Sequence, residues 1–108
     1  MTFDPGLAER LDDVLVRLGA KGARQKNVFG GRGFLVGSST FVIAWEDSLI
    51  VKLTPDAYKE ALATPGVTPF APDGEKPMTT WVVVSAETVA DDPQLESWVL
   101  RGLRAIGR

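Results

Sequence analysis

Residue types that usually carry chemistry are sparse in this chain. It contains no histidine and no cysteine. The usual general base, zinc ligand and pH switch are therefore missing, as are thiol chemistry and disulfide bonds. Gly30-Gly31-Arg32-Gly33 has the glycine content of a phosphate cradle. Such a cradle needs backbone N–H groups converging at a helix N-terminus. Here the strand-forming residues Phe34-Leu35-Val36 follow, and no Lys-Ser/Thr pair accompanies the glycines. Asp12-Asp13, Glu46-Asp47 and Asp91-Asp92 are acidic pairs that would attract a metal. Adjacent side chains diverge on a helix or strand, so solvated surface or helix capping is the reading of each. Ser38, Ser39 and Ser85 have no histidine to activate them, and no spacing supports a Ser-Lys arrangement. No catalytic residue, cofactor or metal is expected, and the chain is not expected to be an enzyme. Trp45, Trp81 and Trp98 are expected in the core rather than on a stacking platform.

Charge offers a second kind of chemistry. The 14 acids and 12 cations leave a net charge of −2. From Val14 to Trp45 there is no Asp or Glu, while Arg17, Lys21, Arg24, Lys26 and Arg32 all lie in that segment. Gathered on one face, these cations would give a weak, sequence-nonspecific contact with nucleic acid. The alternative is that strands and glycine loops are simply poor in acids.

The elements that must position these residues follow from periodicity. Asp4-Pro5 opens a helix to about Leu18, with Leu7, Leu11, Val14, Leu15 and Leu18 on one face and Gly19 as its stop. Val16 lies off that stripe. Lys21 to Asn27 reads as an approach loop or short edge strand. Phe34–Val36, Thr40–Trp45 and Leu49–Leu53 read as strands. Alternation puts Phe41, Ile43 and Trp45 on one face and Val42 and Ala44 on the other. Their short connections require antiparallel neighbours. Thr54-Pro55 opens a second helix that ends at Thr64-Pro65-Gly66. A loop rich in proline (Pro65, Pro69, Pro72, Pro77) follows, with a short edge strand near Thr68 to Ala71. Thr79–Ser85 is a strand, with Trp81 and Val83 facing one way. Asp92-Pro93 opens the last helix by the same cap-and-proline device. Its buried stripe is Leu95, Trp98, Val99, Gly102, Leu103 and Ile106, with Leu100 off the stripe and Arg101, Arg104 and Arg108 opposite. The expectation is one α+β domain over residues 1–108, in the order α-β-β-β-α-β-β-α, with helices on a mostly antiparallel sheet. Val16 and Leu100, if adjacent, would seed a partner or homodimer patch.

Phe29-Gly30-Gly31-Arg32-Gly33-Phe34 is the most distinctive stretch. Its glycines require a turn or bulge with positive φ, or close approach of another segment. With Leu62-Ala63-Thr64-Pro65-Gly66, Pro69-Phe70, Pro77-Met78 with Trp81, and Trp98-Val99, it resembles the TfoX/Sxy N-terminal domain family, from about Arg24 to Ile106. Departures occur at Val28, at Thr80 and across Gly74-Glu75-Lys76-Pro77-Met78. The resemblance implies the family's layered fold, similar to secretion-chaperone-like domains. It also implies a small non-catalytic module that binds a protein partner or itself, in transcriptional regulation of competence-like functions. The second domain of full-length competence regulators has no counterpart here, so the whole regulator function does not carry over. Met-Thr-Phe-Asp-Pro has neither a basic nor an apolar leader region, and the apolar runs fall far short of ~20 residues. A bacterial cytoplasmic protein without a membrane partner is expected.

Overall fold

The computed structural model describes residues 3–71 and 80–108. The chain runs α1 (Pro5–Arg17), β1 (Ala23–Val28), β2 (Gly31–Val36), β3 (Ser39–Trp45), β4 (Ser48–Lys52), α2 (Pro55–Ala61), β5 (Val67–Pro69), β6 (Trp81–Val84) and α3 (Asp92–Ala105). The strands form one antiparallel sheet in the order β1-β2-β3-β4-β6-β5. This is the expected α+β class with one more strand than the expected order. The polar segment before the glycines is β1, an edge strand whose Arg24, Gln25, Lys26 and Asn27 are all exposed.

Local chemistry explains most boundaries. Asp4 accepts a hydrogen bond from the Gly6 N–H at 2.9 Å, and Pro5 occupies the first turn of α1. Thr54 caps α2 by accepting from the Ala57 N–H at 3.3 Å. At α3 the cap is Asp91, which makes no side-chain capping bond. Asp92, the expected cap, instead lies in the first turn, where its carboxylate meets Arg10. Gly74 to Met78, with Pro72 and Thr79, lies outside the described residues.

Register fixes the two faces of the sheet, because side chains alternate along each strand. The row Gln25, Phe34, Val42, Val51, Val82 and Pro69 crosses all six strands on the helix side. There Phe34, Val42, Val51 and Val82 join Leu11, Val14, Leu95 and Val99 in the main core. Phe41 departs from the expected alternation. The β2–β3 register shifts between Phe34 and Leu35, so Phe41 is the extra residue of a bulge and enters the main core beside Val42. Gly102 of α3 lies against that bulge. A Cβ there would come within 2.9 Å of the Phe41 carbonyl oxygen, so glycine permits the helix to approach β3 this closely.

Candidate functional site

One row over, Lys26, Gly33, Ile43, Ile50, Val83 and Thr68 cross the sheet on the face away from the helices. This face has its own small core. Ile43, Ile50 and Phe70 are buried, and Val28, Trp45, Trp81 and Val83 pack half-buried against them. Phe70 arrives just after β5 and anchors its backbone N–H on the Trp81 carbonyl at 3.1 Å. Its ring meets Phe29 edge-on at 5.4 Å and Trp45 at 5.9 Å. Lys52 Nζ stands 5.2 Å from the Trp81 ring centroid, in cation–π range. Trp98 is the one tryptophan of three in the main core. Trp45 and Trp81 belong to the second face, where the sequence expectation had not separated them.

Phe29 is the exposed member of this cluster, at 53% of its surface. The β1–β2 hairpin pairs Val28 with Gly31, leaving Phe29-Gly30 as a two-residue loop. Both have positive φ, 52° and 79°, the pattern of a type I′ turn. Asn-Gly is the favoured pair in such turns. A bulky side chain in the left-handed region costs roughly 1–2 kcal/mol, so Phe29 sits here against local preference. The other two glycines answer to close approach. A Cβ on Gly31 would overlap the Ala44 carbonyl oxygen, and one on Gly33 would lie 2.7 Å from Val28 Cγ2. Arg32 and Phe34, between and after them, point to the helix side.

The five cations of the acid-free segment are divided by the fold. Arg24 and Lys26 share the aromatic face, by their register with Leu35 and Gly33. The Arg24 guanidinium donates to the Gly37 carbonyl at the β2–β3 turn. Arg32 lies on the helix side with its guanidinium 5.3 Å from the Phe3 ring. Arg17 faces Glu96 of α3 at 3.9 Å. Lys21 lines a groove of about 420 Å3 with Leu18, Val36, Leu100 and Arg108. Leu100 therefore sits in that groove, whereas Val16, 79% exposed, is not among its lining residues.

Arg10 carried no signal in the sequence, yet it joins α1 to the start of α3. Its Nη2 donates to the carbonyls of Val89 and Ala90 at 2.8 and 3.0 Å and to Asp92 Oδ1 at 3.0 Å. Only an i,i+4 pattern is visible in a sequence, and Arg10 and Asp92 are 82 residues apart. Among the described residues, no group of three or more acidic side chains is placed to hold a metal, and no helix is long and apolar enough to cross a membrane.

No curated protein matches the chain significantly. The family model described as TfoX N-terminal domain matches residues 15–106, a span from the last turn of α1 to the residue just after α3. That span contains the whole sheet, the Phe29 hairpin and the aromatic face, and the chain belongs to the TfoX N-terminal domain family.

Proposed function

We propose that the chain is a non-catalytic interaction module whose binding surface is the aromatic face of the sheet, centred on Phe29. The observation that carries this reading is Phe29 itself: a large apolar side chain, mostly exposed, in a backbone conformation that disfavours it. Strain of this kind clusters at functional sites. Aromatic residues are also the side chains most often found at the energetic centres of protein interfaces. Lys26 on one side and Lys52 on the other flank the apolar centre, which suits a protein surface with an apolar middle and an acidic rim. The absence of histidine and cysteine from the sequence supports a role without catalysis. The setting inferred is the bacterial cytoplasm, in transcriptional regulation of the kind the family's competence regulators imply.

A second reading keeps the same face and makes nucleic acid the partner, with Arg24 and Lys26 on the side of the sheet that also carries the aromatic rings, on which bases could stack. Immobilised wild type, Phe29→Asn and Val16→Asn, exposed to native lysate with and without nuclease, separate the two. The expected result is a protein retained by wild type and Val16→Asn, lost from Phe29→Asn and indifferent to nuclease. Nuclease-sensitive retention favours nucleic acid. Identical retention by all three proteins contradicts both readings.

A further inference from the structure

A groove of about 460 Å3 separates α2 from α3 on the helix-bearing side of the sheet. It is independent of the aromatic face. Arg101 and Arg104 project into it from α3, three residues apart and therefore on one side of that helix. Thr54 and Thr64 flank α2 and line the groove, while Ala57 and Ala61 add little bulk. The Arg101 guanidinium lies 4.2 Å from the Trp98 ring centroid, so stacking restrains it. Among the described residues the ion pairs are Arg10–Asp92 and Arg17–Glu96, and neither groove arginine has a carboxylate within pairing distance. Two guanidinium groups in one groove, one of them held against Trp98 and neither paired among the described residues, make an anion site by charge and by geometry.

We propose that this groove binds the phosphate of a small hydroxyl-bearing phosphomonoester. Guanidinium forks match phosphate oxygens and bind them with charge-assisted hydrogen bonds. Thr54 Oγ1 accepts the Ala57 N–H, and its own hydroxyl proton remains free to donate to a phosphate oxygen. The volume falls in the range of small-molecule sites and exceeds what a bare phosphate fills. Glu60 also lines the groove. Against the two arginines this one carboxylate leaves the lining with a single net positive charge, enough for one anionic group and not two, and it accepts a hydrogen bond from a hydroxyl on the organic part. The lining therefore favours a sugar monophosphate over a diphosphate.

Titration of the 15N-labelled protein at low ionic strength tests this, with ribose 5-phosphate, inorganic phosphate and ribose as separate probes. Saturable shifts of the Thr54, Thr64, Arg101 and Arg104 amides are expected with ribose 5-phosphate, with weaker binding of inorganic phosphate and none of ribose. Arg101→Gln and Arg104→Gln should each weaken binding by about tenfold or more. Arg101→Lys should not restore it, because the ammonium lacks the fork. Both arginines are exposed, and thermal melts verify that the variants remain folded. The proposal is overturned by the absence of saturable shifts at about millimolar ligand. Equal affinity for inorganic phosphate and the ester, or wild-type binding by both arginine variants, overturns it as well.

Discussion

Gly31 and Gly33 are two residues apart on one strand, and alanine should have opposite consequences at the two. Neither glycine has positive φ, so alanine is conformationally allowed at both. Relative to glycine, alanine reduces the entropy of the unfolded chain, a gain of about 0.4–1 kcal/mol. What differs is the obstacle. At Gly31 the new Cβ overlaps the backbone carbonyl of Ala44 and comes within 3.2 Å of Ile43 Cγ2. That carbonyl belongs to β3, so relief requires the β2–β3 ladder to open. Overpacking of this kind costs about 1–3 kcal/mol or more, and a backbone obstacle belongs at the upper end. A net loss of about 2 kcal/mol follows from subtracting the entropy gain. At Gly33 the obstacle is Val28 Cγ2 at 2.7 Å, the end of a half-buried side chain beside the turn. Rotating it costs about 0.5–1.5 kcal/mol, which the entropy gain nearly offsets. Urea unfolding should therefore place Gly31→Ala about 2 kcal/mol below Gly33→Ala, with unchanged slopes. Val28→Ala should remove the residual cost of Gly33→Ala but leave that of Gly31→Ala in place. Equal stability of the two single variants, or rescue of Gly31→Ala by Val28→Ala, would refute the reasoning.

Three further outcomes are expected. Gly102→Ala should destabilise by about 1–2 kcal/mol in thermal melts despite alanine's better helix propensity, because its Cβ meets the Phe41 carbonyl; a stabilised variant would contradict the close approach. Arg10→Lys should cost about 1–3 kcal/mol in urea unfolding, because one ammonium cannot reproduce bonds to Val89, Ala90 and Asp92 together. Phe29→Asn should change stability by no more than about 1.5 kcal/mol. Relief of the left-handed strain, roughly 1–2 kcal/mol, opposes loss of a ring that buries only about half its surface, worth roughly 2.5 kcal/mol at most.

Much of this fold is legible in the sequence where a signal is local. Asp4-Pro5 and Thr54-Pro55 mark helix starts because capping needs only neighbours. The stripes of α1 and α3 are readable because their period is set within each helix. Signals fail where a distant partner decides. Asp92 has the composition of a cap, but Arg10 claims its carboxylate and Asp91 takes the capping position. β1 lacks apolar alternation because an edge strand exposes Arg24 to Asn27 and needs only one neighbour to pair. The bulge at Phe41 reverses an otherwise regular alternation in a way no periodicity reveals. As for the candidate surface, the glycine run marked the hairpin that presents Phe29. The surface itself was not visible, because Phe29 comes from a turn, Phe70 follows a short strand, and Trp45 and Trp81 come from β3 and β6. Only the register and Phe70 bring these residues together.

The most direct test of the proposed surface is photo-crosslinking in living cells with p-benzoylphenylalanine placed at position 29 or, separately, at position 16. Both side chains are exposed, but only Phe29 belongs to the aromatic face. The result expected is a discrete protein adduct from position 29 that survives nuclease treatment, with none of that mass from position 16. An adduct of twice the chain mass identifies the partner as a second copy. No adduct from position 29, or the same adducts from both positions, would contradict the assignment of Phe29 and its sheet face as the binding surface.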